Sequence, residues 1–552
     1  MKSSLRRRLI GTHTAALIVA VWAGAAVGIP NRGSAPLASA SRDSPPSGFA
    51  APVKDPLAAT VNGPVVGLVN GHFFEFLGIP YAAAPVGDLR WRPPRTHASW
   101  AAPRAAQAFG NTCPQNDTLG VFATPSATED CLYLNIFTPA IGSGRRAVEV
   151  WIHGGGLFDG ASDDYDGSAL AGQHDAVVVT FNYRIGVLGW LAHPALDAEG
   201  HAFGNYGLMD QQSALRWVRQ NIAAFGGDPR NVTIFGESAG GLSVLGNLAS
   251  PAAAGLFQHA ISQSGTYELA TTPLSLALTN GTGFATAAGC PEQSGAACLR
   301  ALRVQQILDQ QGAYLTGLMV DGTILPRTLS AAFSTGRFNR VPVMNGSTRD
   351  EMRFFNAVDE LTTGHTLSAS EYVTATKKQH GSTAATVLAK YPLSGDPSPS
   401  EVFSAGETDS IFACPAQRLD RWLSRYVPVY AYEFNDRTAP SFMSPVSFPY
   451  GAAHTLELQY LFPLYHGSTG APHPLDAAQN RLSRSMLQYW SGFAQTGDPN
   501  ASRPPTLPHW ARYGHGRGYV QSLQQPQPAS TLGFIREHRC RFWNQLPAVP
   551  MG

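Results

Sequence analysis

One stretch constrains this chain more than any other: Phe225 to Gly241, reading FGGDPRNVTIFGESAGG. Val232-Thr233-Ile234-Phe235 is apolar and β-branched and predicts a short buried strand. Leu242 to Ala254 is small and apolar and predicts a packed helix. Between them, Gly236-Glu237-Ser238-Ala239-Gly240 leaves little chain for the turn from strand to helix. Glycines at 236 and 240 remove the side chains that would collide in so tight a turn. The turn lifts the Ser238 hydroxyl above the sheet, beside a helix N-terminus. The pentapeptide alone is weak: with 56 Gly in 552 residues, G-x-S-x-G arises by chance on the order of 0.4 times. Its context has to carry the reading.

That context lies upstream. Ala147 to Ile152 reads as a strand and runs into His153-Gly154-Gly155-Gly156. Three consecutive glycines leave backbone N–H groups bare, as the oxyanion of an ester's tetrahedral intermediate requires. Ala176 to Tyr183 is a second apolar run, followed by Arg184-Ile185-Gly186-Val187-Leu188-Gly189. The alternative for the glycines is a flexible loop. A glycine loop followed by a strand–G-x-S-x-G–helix is the chain order of a hydrolase with a serine nucleophile.

Further segments fall in the same order: Gly78-Ile79-Pro80-Tyr81, Leu89-Arg90-Trp91, Glu129-Asp130-Cys131-Leu132-Tyr133-Leu134-Asn135, NYRIGVLG and GNYGLMDQQSALRWVRQNI. With these, the chain resembles the type-B carboxylesterases, the family of bacterial para-nitrobenzyl esterases, animal carboxylesterases and cholinesterases. The resemblance extends from about Pro56 to the C-terminus. It implies an α/β-hydrolase fold: a large, mostly parallel central sheet flanked by helices, with long helical insertions. It also implies a secreted serine carboxylesterase that needs neither metal nor organic cofactor. Neither a zinc-type ligand cluster nor a phosphate-binding glycine loop stands in the sequence.

A serine needs a base, and the base needs an acid to orient it. Val341 to Glu351 (VPVMNGSTRDE) reads as a short strand leading to a turn with two acids, Asp350 and Glu351. The resemblance places the acid at Glu351, with Asp350 as the competitor. The family usually has glycine next, where this chain has Met352. His454, in Gly451-Ala452-Ala453-His454-Thr455-Leu456-Glu457-Leu458, matches the family's H-x-x-E-L segment, with the base on a loop leading into a helix. His466 is the runner-up and lacks the following Glu-Leu pair. The implied catalytic residues are thus Ser238, Glu351 and His454, with the N–H groups of Gly155, Gly156 and Ala239 as the oxyanion hole. Arg90 and Glu129 match a buried ion pair of the family, and Glu237 and Ser264 match positions just behind the catalytic groups.

Lys2, Arg6, Arg7 and Arg8 precede an apolar run, Ala15 to Ile29, and a small-residue Ala38-Ser39-Ala40. This pattern predicts a cleaved signal peptide over 1–40, by a general or twin-arginine route, to a secreted or periplasmic location. A Pro- and Ser-rich leader follows over 41–55, and 56–552 reads as one catalytic domain. Six cysteines suit an exported chain. Six allow fifteen connectivities; the resemblance implies Cys113–Cys131, Cys290–Cys298 and Cys414–Cys540. Lys and Arg number 39 against 38 Asp and Glu. That balance offers no basic stripe for nucleic acid. No stable membrane anchor is expected, and a monomer or weak homo-oligomer is.

Cholinesterases hold a quaternary ammonium on an indole face, from a tryptophan inside the loop closed by the first disulfide. Here Pro114 to Asp130 contains no Trp, and Phe122 is its sole aromatic. Uncharged esters are therefore the expected substrates. The same machinery could serve a lipase, amidase or thioesterase. A non-catalytic binding module is the remaining alternative, and the intact Ser, Glu and His weigh against it.

Overall fold

The computed structural model describes residues 55–116, 124–291, 295–314, 317–462, 474–501, 503–514 and 518–546. The signal segment, nearly all of the leader, Phe122 and His466 lie outside the described residues.

Eleven strands form one sheet. In chain order they are β1 (Leu68–Asn70), β2 (Phe73–Pro80), β3 (Tyr133–Thr138), β4 (Gly142–Ile152), β5 (Val177–Phe181), β6 (Phe225–Glu237), β7 (His259–Gln263), β8 (Val343–Thr348), β9 (Val429–Phe434), β10 (Val520–Leu523) and β11 (Ala529–Thr531). Across the sheet they run β11-β10-β9-β8-β7-β6-β4-β5-β3-β2-β1. Every pairing from β10 through to β5 is parallel. Antiparallel pairs close both edges. This mostly parallel sheet with helices on both faces is the α/β-hydrolase fold.

The central strands alternate between two cores, as a side-chain period of two dictates. Val148, Val150 and Ile152 of β4, with Val232 and Ile234 of β6, join one cluster. Trp151 and Phe235 face the other, with Tyr430 and Tyr432 of β9. With both faces covered, near-continuous apolar runs are what the middle strands need.

The helices that matter for the site are α1 (Tyr206–Asn221), α2 (Ala239–Ala249), α3 (Met352–Thr363), α4 (Pro399–Glu407), α5 (Cys414–Leu423), α6 (Leu458–Leu461), α7 (Ala477–Thr496) and α8 (Cys540–Trp543). A π-helical turn, Thr408–Ala413, joins α4 to α5 without a break. The sequence placed α2 at Leu242 to Ala254. It begins earlier, on the residue after Ser238, and ends at Ala249 with Ser250 as its C-cap, because Pro251 cannot donate a helical hydrogen bond. Strand β6 reaches back to Phe225, well beyond the four residues expected, by pairing along the length of β4.

Three disulfides are formed: Cys113–Cys131, Cys290–Cys298 and Cys414–Cys540. The last ties the start of α5 to α8 across a separation of 126 residues. Arg90 forks onto Glu129 with two hydrogen bonds, at 2.7 and 2.5 Å, and also donates to the Arg300 and Leu302 carbonyls. No helix among the described residues is long and apolar enough to cross a membrane.

Candidate active site

Strand β6 ends at Glu237 and α2 starts at Ala239, so Ser238 alone makes the turn. Its backbone sits at φ 56°, ψ −122°. A non-glycine residue there is strained, and surrounding contacts must impose the conformation. They do: Ser238 N–H donates to the Gln263 carbonyl of β7 at 2.9 Å, and the Ser238 carbonyl accepts from Leu242 N–H at 2.8 Å. Gly240 is obligatory, since a Cβ there would lie 1.9 Å from the Ile152 carbonyl oxygen. Glu237 and Ala239 are buried, while Ser238 between them is partly exposed.

The glycine turn after β4 comes to the same place. A Cβ on Gly154 would stand 3.2 Å from Ser238 Cβ. Gly155 has φ 95°, and a side chain there would strike the Asp159 carbonyl at 2.2 Å. His153 before it stacks on Tyr183, with ring centres 4.4 Å apart. Burial lowers the His153 imidazole to about 4, so it is a neutral packing group at physiological pH. Ala239 is the first residue of α2, and its N–H has no partner within the helix. Gly154 and Ala239 thus adjoin Ser238, and Gly155 and Gly156 continue the turn from Gly154.

Glu351 follows β8 and occupies the N-cap position of α3, with φ −39° and ψ −55°. Its carboxylate caps nothing in its own helix. Instead Oε1 accepts from Ser264 Oγ and from Thr348 N–H, both at 2.7 Å, and Oε2 lies 2.6 Å from His454 Nδ1. Asp350 points elsewhere: it accepts from Arg437 at 2.9 and 2.7 Å and from Ala452 N–H at 3.1 Å. The two adjacent acids therefore have separate partners, and only Glu351 reaches a histidine. Met352, in place of the family's usual glycine, is a buried helical residue packed with Ile411 and Phe412.

The contact to Glu351 orients the His454 ring, with Nδ1 turned to the acid and Nε2 turned to Glu237. Nε2 lies 3.2 Å from Glu237 Oε1, yet neither atom forms a hydrogen bond with correct geometry. Burial, and then the neighbouring Glu351 charge, holds the Glu237 carboxyl well above the usual carboxylate range. Glu457, fully buried, is raised by burial and then by the same carboxyl neighbours. Three glutamates thus gather near one imidazole, and burial raises the carboxyls of two of them, Glu237 and Glu457. Phe355, Phe412 and Phe354 cover the His454 ring at 5.0, 5.4 and 5.8 Å.

Glu457 as a buried carboxyl, Phe412 and the π-helix that carries Phe412 were not expected from the sequence. Glu457 stands inside the quoted H-x-x-E-L segment, which is the signal that could have found it. Phe412 is 42 residues from His454 in an unremarkable helical run, and no local pattern marks it. Among the described residues, no group of three or more His, Cys, Asp or Glu is arranged to hold a metal.

Residues 54–543 match the carboxylesterase family. The chain is 34% identical to human cocaine esterase over 525 residues, covering 89% of this chain and 91% of that one. It is 34% identical over 498 residues to mouse acylcarnitine hydrolase, covering 85% and 86%. Among solved structures, a thermophilic PNB esterase superposes with a TM-score of 0.74 at 32% identity, over 86% of this chain and 97% of that one. The fold and the sequence define a carboxylic ester hydrolase, and the chain belongs to the carboxylesterase family.

Proposed function

We propose that this chain hydrolyses uncharged carboxylic esters through a Ser238–His454–Glu351 triad and an acyl-enzyme. The observation that carries the reading is the Glu351–His454 contact, with His454 Nε2 3.2 Å from Glu237, the residue before the strained Ser238. His454 Nε2 takes the Ser238 proton as Oγ attacks the ester carbonyl. Glu351 holds Nδ1–H and stabilises the imidazolium that forms. The N–H groups of Gly155, Gly156 and Ala239 receive the oxyanion, where fixed donors in a partly buried site are most effective. The alcohol leaves with the proton from His454. Water then repeats the cycle on the acyl-enzyme and releases the acid.

The upward shift of the buried Glu237 and Glu457 carboxyls suits this cycle. A second carboxylate beside the imidazole would stabilise its protonated form before reaction and hold the base inactive. Three disulfides support export, which is the role read for residues 1–40, and 56–552 is read as one catalytic domain. A missing indole in the 114–130 loop supports uncharged substrates over choline esters. The test is a hydrolysis screen of para-nitrophenyl acyl esters of rising chain length beside butyrylcholine, run with a Ser238→Ala control. The para-nitrophenyl esters should turn over faster, and the control should be inactive on all of them. Faster turnover of butyrylcholine would show that another group supplies a cation site.

A further inference from the structure

We infer that Thr408, on the π-helix, is a positioning residue for the triad acid, capping from outside the helix that begins at Glu351. The inference rests on Glu351 being that acid.

A helix leaves its first N–H groups without internal partners, and the N-cap side chain ordinarily satisfies one of them. Glu351 stands at the N-cap of α3 but has turned its carboxylate to Ser264, Thr348 and His454. The first turn must therefore be satisfied by other groups. Arg353 N–H donates to the Asp350 carbonyl at 2.9 Å, and Phe354 N–H to the Glu351 carbonyl at 3.2 Å. Met352 N–H goes to Thr408 Oγ1 at 3.0 Å, 56 residues along the chain and fully buried. Met352 shares a peptide unit with Glu351, so this bond holds the peptide next to the acid's Cα.

The π-helix that supplies Thr408 is fixed on several sides. A π-turn carries an extra residue against the helical norm, is costly, and recurs at functional sites. Four residues beyond Thr408, Phe412 packs on His454 and its carbonyl accepts from Thr266 Oγ1 at 3.3 Å. Asp409 binds His538 Nδ1 at 2.6 Å, whose Nε2 binds Glu433 at 2.5 Å. Cys414, the next residue after the turn, is bonded to Cys540. One turn thus touches the acid's peptide through Thr408 and the base's ring through Phe412. Its outer side is tied to α8 and β9.

Thr408→Val keeps the shape and removes the acceptor; Thr408→Ser keeps the acceptor. Both are assayed with para-nitrophenyl butyrate, and active sites are titrated with an organophosphate so that kcat refers to competent molecules. Thr408→Val should lose about ten- to a hundred-fold in kcat, the scale on which small displacements of catalytic groups act, with KM within about threefold. Thr408→Ser should stay within about threefold of the parent. Added to Glu351→Gln, Thr408→Val should cost nothing further, because the group it positions is already disabled. A normal kcat per titrated site in Thr408→Val overturns the inference, as does a Thr408→Ser variant as poor as Val, or a loss confined to KM. Failure of the underlying reading looks different: Ser238→Ala or Glu351→Gln would then retain activity.

Discussion

His538 should be a buried imidazolium whose charge stabilises the fold, and its removal should matter only where that charge exists. The ring lies between Asp409 and Glu433, at 2.6 and 2.5 Å, and is buried. Burial by itself would lower its pKa. The hydrogen bonds and charges of Asp409 and then Glu433 outweigh that and raise it from 6.5 to about 10. Outer charges balance the cluster: Arg349 reaches Glu433 at 3.3 Å and Glu537 at 2.8 Å, and Arg539 reaches Asp409 at 3.7 Å. At ~1.36 kcal/mol per pKa unit the shift corresponds to at most ~5 kcal/mol. Breaking a buried pair costs ~3–5 kcal/mol, so the two routes agree on size. The sign follows from a folded pKa above the unfolded one. The stabilisation is complete below pH ~6.5, falls as pH rises, and is gone above about 10. Urea unfolding followed by tryptophan fluorescence, on the parent and His538→Gln at pH 6, 8 and 10, measures this. The gap between the two should be several kcal/mol at pH 6, smaller at pH 8 and close to zero at pH 10. A neutral ring between two carboxylates is then no better than a glutamine. A gap independent of pH would refute the charge and leave only packing.

Other outcomes follow from the same geometry. Glu351→Gln should lower kcat by about 10³–10⁴-fold, as for triad acids elsewhere. Asp350→Asn should lose far less kcat, and should show its effect in thermal stability through Arg437; the reverse pattern in the same esterase assay would mean that Asp350 is the acid. Replacing Cys414 and Cys540 together by Ser should destabilise more than replacing Cys290 and Cys298. In the loop-entropy account a separation of 126 residues corresponds to ~5 kcal/mol and one of 8 to ~2.5 kcal/mol. Thermal scans of the two double variants rank them directly.

The elbow was legible in the sequence because its strand, turn and helix are contiguous, and the two glycines are there for steric reasons that hold in any context. The start of α2 was misplaced because Ala239 to Gly241 carries two glycines, poor helix formers by propensity. Tertiary packing against Ile152 and Gln263 sets that boundary instead. Choosing between Asp350 and Glu351 was beyond periodicity, since neighbouring side chains differ only in direction. The structure separates them by giving Asp350 to Arg437 and Glu351 to His454. Beyond Glu237 and Ser264, the support behind the site was not legible. Thr408 and Met352 are 56 residues apart, and His538 meets Asp409 and Glu433 at separations of 129 and 105. No local pattern encodes pairs so distant; they exist only once the sheet is assembled.

The central claim is that Ser238 is the nucleophile, and covalent labelling tests it most directly. The protein is treated with an organophosphate, digested, and its peptides are read by mass spectrometry, with residual esterase activity followed in parallel. The account predicts one adduct per chain, on Ser238, appearing at the rate at which activity is lost. It also predicts no adduct and no activity in Ser238→Ala. An adduct on another residue, with Ser238→Ala still hydrolysing para-nitrophenyl esters, would contradict it.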